Sequence, residues 1–396
     1  MMDVNDGTAS CRTPANYLAA SSLPSTCDIA VVGAGAMGLF TALFLARAGR
    51  EVVVIERGHP WSEASGVNAG SLGVQNKRLE LVPFALEALR IWETLGEQFG
   101  RDLGFRRSGG FRIASNEAER ELLARSAKEQ QARGVRVEQL GANALAARAP
   151  YLSGAAIAAN FSPDDSYANP LLVGPALIKA VRDAGVTICS KTELTGLQNG
   201  PGGLQVSTAR GDICCSTVVL ACGAWVDRVA QFLGVSFPVS LDVNMVSVTE
   251  PAPPTIKGIV THARGILTLK QVANGSCLIG GGWKGRGGLA SGLKDMDYES
   301  LLHNLRLAVR IIPQLARLNL IRQWSGFEGV TPDSLPIFGR LPGQSNVFAS
   351  ACARGGWTLS PLFGRMMAEL VCTGEASLDV SRFSPARFSS SRFSLT

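Results

Sequence analysis

The pattern of apolar and polar positions predicts a strand, a helix and a second strand near the start of the chain. An apolar run over Ile29–Val32 leads into a glycine-rich segment, and an alanine- and leucine-rich segment follows over Leu39–Ala48. That segment ends at Gly49, and a second apolar run covers Val52–Ile55. Short continuous apolar runs are typical of buried parallel strands. The region therefore predicts a β-α-β unit.

The middle of the chain continues with helices and strands. Apolar residues recur at helical spacing from Leu81 to Phe99, which indicates an amphipathic helix. Capping signals predict two further helices, over Asn116–Arg133 and from Asn169 to Gly185. Further strands are predicted at Val186–Ser190, Gln205–Thr208, Ile213–Cys222 and Asn346–Ala351.

Residues 239–325 differ in character from the region before them. A glycine-rich segment, Gly280–Gly288, lies among alternating apolar and polar residues and is predicted to be a hairpin or a mobile loop. A helix is predicted to follow at Tyr298–Ile312. The strands predicted here are Val243–Thr249, Ile266–Gln271 and Cys277–Gly280. This pattern indicates an antiparallel sheet with a helix, and hence a second domain inserted into the first.

Composition narrows the class of protein. Only 18% of the 396 residues are charged and the mean hydropathy is +0.16, which is typical of a chain with a large buried core. The net charge of +6 is spread without a basic block, so we expect no nucleic-acid partner. Nine cysteines without a CxxC pair and three separated histidines lack metal-site spacing, so we expect no metal. The first 26 residues lack the features of a secretory signal, so we predict a disordered extension and a cytoplasmic protein.

The glycine-rich segment after the first strand carries the first candidate chemistry. Gly33 is expected to make a tight turn, Gly35 to admit a pyrophosphate, and Gly38 to let the helix pack on the strand. The pyrophosphate would bind the free N–H groups of the helix. Glu56 ends the second strand, where it can accept hydrogen bonds from a ribose. The unit predicts a dinucleotide site and leaves NAD and FAD open.

Later segments favour FAD. Small and hydroxyl-bearing residues predominate over residues 61–73, which predicts a loop where Ser65 and Ser71 wrap a ligand. The strand before Gly223 ends at small residues, as parallel strands do where a sheet meets a cofactor. A further loop at residues 352–358 precedes the last helix. Loops this far apart in sequence favour FAD, because FAD is held at its flavin end as well as at its adenine end.

These motifs resemble the FAD-dependent D-amino-acid-oxidase superfamily, in particular its glycine-oxidase-like branch, over residues 28–388. The resemblance is carried by Gly33–Gly38 with Glu56, Ala64–Leu72, Gly223–Trp225, Trp324–Gly326, Thr331–Pro336 with Gly339, and Arg354–Pro361. It implies an α/β protein with a discontinuous Rossmann-like FAD-binding domain and an inserted α+β substrate domain built on an antiparallel sheet. The predicted divisions are 27–82, 152–238 and 326–375 for FAD binding, 83–151 and 239–325 for substrate, 1–26 for the extension and 376–396 for a loose tail.

The resemblance also implies non-covalent FAD and a reaction. A hydride would pass from the Cα–H of a neutral amine to flavin N5, and the resulting imine would hydrolyse. Leu194 would lie beside the adenine, and the flavin between the Ser65–Leu72 loop and the 352–358 loop. A helix capped by Ser360 would direct its positive end at the flavin. The predicted cofactor-binding residues are Gly33, Gly35, Ala36, Met37, Gly38, Glu56, Arg57, Ser65, Gly66, Gly70, Ser71, Leu72, Leu194, Gly223, Arg354, Gly355, Gly356, Trp357 and Thr358.

One residue departs from the glycine-oxidase-like pattern. Glu328 stands where that pattern has an arginine that clamps the substrate carboxylate, and a second carboxylate would repel it. An acid there is similar to what is expected in opine oxidases, D-hydroxyproline dehydrogenases and hydrogen cyanide synthase, whose flavin subunit often works in a hetero-oligomer. We predict that Glu328 faces a substrate ammonium or guanidinium, and that Arg264, Lys270 or Arg354 binds the carboxylate. In the alternative, Glu328 forms a structural ion pair with Arg322 or Arg354.

The predicted function is oxidation of a C–N bond in an amino acid or N-substituted amino acid, such as a D-amino acid, an opine, a proline derivative or glycine. The electron acceptor stays open between O₂, a quinone and a partner subunit, and a complex would allow peripheral association with a membrane. Gly326 at the place of a cysteine linkage indicates non-covalent flavin. The alternatives are an NAD-dependent dehydrogenase and a non-catalytic or electron-relaying flavin subunit.

Overall fold

The computed structural model describes residues 22–351 and 354–389, which form two large sheets and their covering helices. The helices are α1 Ala36–Arg47, α2 Val82–Gln98, α3 Glu117–Gln131, α4 Ala142–Arg148, α5 Pro170–Asp183, α6 Val226–Ala230, α7 Tyr298–Ile311 and α8 Gly356–Thr373. The strands are β1 Thr26–Val32, β2 Val52–Ile55, β3 Ser71–Leu72, β4 Gly110–Ala114, β5 Glu138–Gly141, β6 Ala158–Ser162, β7 Ser166–Tyr167, β8 Thr187–Cys189, β9 Leu194–Gly200, β10 Gly203–Thr208, β11 Gly211–Leu220, β12 Ser240–Thr249, β13 Ile259–His262, β14 Thr268–Gln271, β15 Cys277–Gly280, β16 Arg286–Gly287, β17 Lys294–Asp295, β18 Leu320–Val330, β19 Ile337–Arg340 and β20 Val347–Ala351.

The first sheet has the strand order β19-β20-β11-β1-β2-β8, and all of these pairings are parallel except that of β19 with β20. Strands β10 and β9 add an antiparallel extension to β11. All four residues of β2 and the apolar run of β1 are buried, because helices cover one face and further strands the other. This arrangement confirms the predicted α/β class with a parallel sheet.

Helices α1, α2, α5 and α8 cover one face of the first sheet. Helices α1 and α8 pack especially closely, because a Cβ added at Gly364 would lie 2.5 Å from the Cβ of Phe40. The N-cap predicted for α5 is present, since Asn169 accepts a hydrogen bond from the Leu171 amide at 3.0 Å, and Asn116 caps α3 by accepting from the Glu119 amide at 3.0 Å. None of the described helices has the length and apolar character needed to cross a membrane.

The second sheet has the order β18-β12-β15-β14-β13-β4-β6-β5 and is antiparallel except between β13 and β4. Helix α7 packs on it through Ala308 and Ile311. Of the two alternatives predicted for the glycine-rich segment, a hairpin or a mobile loop, the end of the segment forms a hairpin, in which β16 pairs with β17 beyond the segment. The domain boundaries stay a prediction, but two of them cut this sheet, because β6 lies beyond 151/152 and β18 crosses 325/326.

The structure corrects the predicted start of the last helix. Helix α8 begins at Gly356 and not at Ser360, whose hydroxyl instead donates to the carbonyl of Trp357 at 3.0 Å inside the helix. Pro361 is the sixth residue of this helix and has no amide to donate to the Trp357 carbonyl four positions earlier, so that carbonyl accepts from the Ser360 hydroxyl instead. The cap is Gly355, with φ +81°.

The chain ends also differ from prediction. Residues 376–389 are not a loose tail: Phe383 is 1% exposed, with its ring 5.0 Å from that of Phe84, and Arg387 pairs with Asp333 at 2.9 Å. The sequence pattern did not indicate this buried aromatic residue, because arginine and serine residues flank it. At the other end, the predicted extension overlaps the sheet, since Thr26 belongs to β1. The remainder of the extension (residues 1–21) and of the tail (390–396) lies outside the described residues.

Candidate active site

A long cleft crosses the carboxyl ends of the parallel strands and reaches the second sheet. Its walls come from the turn after β1, the end of β2, the loop at 63–68, the segment before β9, the loop after β11, the first turn of α8, and β18. Ligands of open α/β sheets bind at this position. The cleft is lined by these sequence-predicted residues: Gly33, Gly35, Ala36, Met37, Glu56, Arg57, Ser65, Leu194, Gly223, Glu328, Gly355, Gly356 and Trp357.

Backbone packing requires the glycines of the turn after β1. Gly33 has φ +108°, and a Cβ there would lie 2.5 Å from the carbonyl oxygen of Ala221. A Cβ at Gly38 would overlap the carbonyl oxygen of Gly33. Gly38 therefore lies behind the turn and shapes it, whereas Gly33 lines the cleft.

Two side chains hold the amino end of α1 and the turn. Glu56 accepts hydrogen bonds from the amides of Ala34 at 2.9 Å and Gly58 at 2.8 Å, which orients its carboxylate. Ser65 accepts one from the Ala36 amide at 2.9 Å, where the helix itself offers no side-chain cap. The loop bearing Ser65 is thus joined directly to the anion-binding end of the helix.

The cleft wall at the end of β2 and the loop after β11 includes an aromatic ring. The guanidinium of Arg57 lies 3.7 Å from the centroid of the Trp225 ring and pairs with Glu63 at 3.1 Å. Leu194 lines the same cavity, as predicted for an adenine neighbour, and that role stays a prediction. Burial raises the pKa of the Cys222 thiol to about 12, so this thiol stays neutral at neutral pH.

The first turn of α8 offers donors that no described residue accepts. The indole N–H of Trp357 and the hydroxyl of Thr358 are buried without a hydrogen-bond partner in the described part of the chain. Trp357 is held by the rings of Trp61 and Trp92, 5.7 and 5.1 Å away. Buried donors of this kind normally have a partner. A ligand rich in acceptors fits this turn, and together with the glycine turn the residues fit FAD.

The loop that follows Ser65 supports the cleft from behind. Ser71 accepts from Lys270 and pairs with Tyr167 on β7, the Gly70 carbonyl accepts from the Ala168 amide at 3.0 Å, and Leu72 is fully buried. Lys270 is 1% exposed, and its ammonium donates to the Ala69 carbonyl and to the Ser71 hydroxyl at 2.9 Å. Burial lowers the pKa of Lys270 to about 7. The predicted residues that lie outside the cavity wall are Gly38, Gly66, Gly70, Ser71, Leu72, Arg354, Thr358 and Lys270.

Glu328 lines the end of the cleft on the second sheet, and its neighbours Asp242, Asn244 and Arg354 lie outside the cavity wall; we call these four residues the acidic end. Asp242 and Glu328 are directly opposite each other on β12 and β18. Opposed like charges destabilise a sheet, and Arg354 compensates, 2.5 Å from Asp242 and 4.0 Å from Glu328. Asn244 donates to Glu328 at 2.6 Å. The distance from Arg354 to Glu328 matches the predicted alternative of a structural ion pair, and a substrate-binding role for either residue stays a prediction.

Two predicted candidates lie elsewhere. Arg264 pairs with Glu119 at 3.0 Å, and it is not part of the cavity wall. Arg322 lies over the ring of Trp324 at 5.9 Å, without a described ion pair to Glu328. Of the three cations predicted for a substrate carboxylate, the structure brings Arg354 to Glu328.

Sequence reasoning missed several residues at the cleft. Asn68 lines it and accepts from the Gly70 amide at 2.6 Å. Lys77 reaches the cap of α8, 3.4 Å from the Gly355 carbonyl. Asp165 lies beneath the loop, and burial raises its pKa. Asp242 lies opposite Glu328 because β12 pairs with β18. Asn68 lies within the Ala64–Leu72 motif, which was the signal available for it, whereas no motif contains Lys77, Asp165 or Asp242.

The sequence matches the FAD dependent oxidoreductase family over residues 28–370. It is 29% identical to glycine oxidase of Geobacillus kaustophilus (strain HTA426) over 373 residues, covering 91% of this chain and 97% of that one. It is 27% identical to an opine oxidase subunit of Rhizobium meliloti over 372 residues, covering 91% and 97%.

Solved structures give the same result. The structure of L-proline dehydrogenase from P. horikoshii aligns with a TM-score of 0.85 at 26% identity, covering 93% of this chain and 99% of that one. These findings confirm the predicted superfamily, the FAD cofactor and a flavoenzyme related to amino-acid and amine oxidases.

Proposed function

We propose, on the premise that this chain belongs to the DAO family of FAD-dependent oxidoreductases, that it oxidises the C–N bond of an N-substituted amino acid. The observation that carries the substrate class is Glu328, a carboxylate in the cleft wall where the glycine-oxidase-like pattern has an arginine. An opine-type or proline-type substrate has a secondary amine that can donate to this carboxylate. The opine oxidase of Rhizobium meliloti and the L-proline dehydrogenase, both similar to this chain, are named after such substrates.

The acidic end orients Glu328. Asn244 and Arg354 both approach its Oε2, at 2.6 and 4.0 Å, so Oε1 can accept from a ligand. Glu328 holds the substrate nitrogen by this hydrogen bond. The pairing of Arg354 with Asp242 keeps its guanidinium beside Glu328.

Bound FAD supplies the acceptor for the hydride that leaves the substrate carbon. The residues that would hold it are Gly33 to Ala36 with Ser65 and Glu56 at one end and Gly355 to Thr358 at the other. Loss of the hydride from carbon and a proton from nitrogen leaves an imine, which water converts to an oxo acid and an amine. The chain contributes position and electrostatics.

An anaerobic screen tests the proposal. The purified holoprotein is mixed with opines, proline derivatives, N-methyl amino acids, D-amino acids and glycine, and flavin absorbance is followed. We expect secondary amines to bleach the flavin fastest. Glu328→Gln is expected to raise KM for these substrates about tenfold, since hydrogen bonds to charged groups are the stronger kind. Glu121→Gln, on the exposed face of α3, is the matched control. An unchanged KM in Glu328→Gln across all substrates would refute the role of Glu328.

A second candidate function concerns the electron acceptor. The opine oxidase relative is by name one component of a larger enzyme. We therefore propose as the alternative that this chain passes electrons to a second protein or a quinone. Anaerobic reduction by substrate followed by timed admission of O₂ distinguishes the two. Rapid reoxidation supports an oxidase, and slow reoxidation that a quinone accelerates supports the alternative.

A further inference from the structure

Lys77 connects the loop below the cleft to the amino end of α8. Its Nζ lies 3.4 Å from the Gly355 carbonyl, and a Cβ added at Gly355 would overlap that Nζ. Gly355 caps α8 and lines the cleft. Lys77 is not itself part of the cavity wall; its ammonium lies directly behind Gly355, near enough to Glu328 for that charge to act on the pKa of Lys77.

The other cations near the acidic end are neutralised. Arg354 pairs with Asp242 at 2.5 Å, and Lys284 pairs with the same carboxylate. Lys294 pairs with Glu63. Each of these side chains would have to leave a carboxylate in order to bind a second one.

Lys77 is different, because no described carboxylate lies within 4.0 Å of its Nζ. The nearby acid Asp165 already accepts from the Val74 amide at 2.7 Å and the Gln75 side chain at 2.9 Å. Burial lowers the pKa of Lys77 to about 8, although the charges of Asp165 and Glu328 act in the opposite direction. A partly buried ammonium without a paired anion is unfavourable unless a ligand supplies the anion.

We propose that Lys77 binds the carboxylate of the substrate, so that Lys77 and Glu328 together recognise an amino acid by its carboxylate and its nitrogen. This inference rests on the proposed function and names the cation that replaces the arginine missing at position 328. The two charged groups of an α-amino acid are separated by one carbon, so a complementary site needs a cation and an anion close together. The amino end of α8, with its partial positive charge, lies beside Lys77 and favours the same anion.

Ligand binding to the holoprotein tests this inference without turnover. Pyrrole-2-carboxylate and glycolate are titrated at pH 7 against their uncharged carboxamides, with the change in flavin absorbance as the readout. In Lys77→Met we expect Kd for the carboxylates to rise about tenfold to a hundredfold, the loss of one charge-assisted hydrogen bond. Kd for the carboxamides is expected to stay unchanged. Lys77→Arg should restore most of the carboxylate affinity.

The matched control is Lys179→Met, because Lys179 is exposed and pairs with Asp183 on α5, away from the cleft. It should bind both ligand types as the wild type does. Equal Kd values for the carboxylates in wild type and Lys77→Met would overturn the inference. So would an equal loss for carboxylates and carboxamides, or the absence of carboxylate binding to the wild type.

The wild type also provides a test that needs no stable Lys77→Met variant. The ammonium form of Lys77 binds the anion, so Kd for the carboxylates should rise as pH increases through about 8. Asp165 and Glu328 face Lys77, and Lys270 with a pKa of about 7 titrates nearby. Lys77→Arg distinguishes them, because arginine stays charged and should remove the pH dependence. A pH dependence that survives in Lys77→Arg contradicts the inference.

The two proposals can fail separately. If amines bleach the flavin but Lys77→Met leaves Kd for the carboxylates unchanged, the proposed function stands and Lys77 is not the carboxylate site. If no amine in the screen bleaches the flavin, the proposed function itself fails, whatever Lys77 binds.

Discussion

The two ends of the cleft are built in different ways. At the glycine turn the backbone makes the site: Gly33 and Gly38 leave no room for a Cβ, and Glu56 and Ser65 bind backbone amides. At the acidic end side chains from separate strands and loops make the site, and its charges are balanced between neighbours. A backbone site suits an invariant ligand, whereas a side-chain site can change its specificity without change of fold.

The largest expected effect comes from adding one methyl group at the glycine turn. In Gly38→Ala the new Cβ would overlap the Gly33 carbonyl, and overpacking of this kind costs about 3 kcal/mol or more. We expect a lower Tm and loss of bound flavin, measured by calorimetry and by the absorbance ratio of flavin to protein. Gly141→Ala is the control, since a Cβ there meets nothing within 4 Å. A Gly38→Ala protein with normal flavin content would show that the turn is not rigid.

The second prediction concerns Lys270, which binds the loop that follows Ser65. Burial lowers the folded-state pKa of Lys270 to about 7, below that of an exposed lysine. Between pH 7 and 10 the unfolded chain therefore binds more protons at this residue, so the stability of the wild type should rise with pH relative to Lys270→Met. The difference should grow by up to ~1.4 kcal/mol per pH unit. Denaturant unfolding at a series of pH values measures this difference in the free energy of unfolding. If the free energy changes with pH in the same way in both proteins, the lowered pKa of Lys270 is contradicted.

The third prediction tests whether the acidic end of the cleft affects substrate binding without affecting flavin binding. Arg354→Met leaves Asp242 and Glu328 opposite each other with less compensation, and we expect a loss of about 1–2 kcal/mol because the arginine is half exposed. Flavin content should stay at the wild-type level while KM for substrate rises. Arg340→Met is the control, since Arg340 stacks over Phe348 away from the cleft. Loss of flavin in Arg354→Met would show that this end also holds the cofactor.

The smallest expected effect is at Ser65. Ser65→Ala removes one acceptor from the Ala36 amide at the start of α1, which costs about 0.5–1.5 kcal/mol. We expect a small decrease in Tm and a several-fold weaker affinity of the apoprotein for FAD, followed by flavin fluorescence. Ser291→Ala, in the exposed hairpin, should change neither quantity. An unchanged FAD affinity in Ser65→Ala would show that the loop is held without this hydrogen bond.

Prediction from sequence succeeded where a structure depends on neighbours along the chain. The strand β1, helix α1 and their glycines are encoded within one segment, and Asn116 and Asn169 cap the helices they precede. It failed at Ser360, because serine before proline is a common N-cap and the true cap, Gly355, has no side chain to signal it. It failed at Phe383 because a single aromatic residue among arginines and serines shows no periodicity.

The sequence by itself determined the parallel sheet, the dinucleotide turn and the presence of an acid at position 328, because each rests on local spacing and residue type. Only the tertiary structure decided which charges meet at the acidic end. Asp242, Glu328 and Arg354 come from two strands and a distant loop, and Lys77 reaches the cap of α8 across 278 positions of the chain. Pairing over such distances depends on sheet register and helix packing, which no local pattern of residues records.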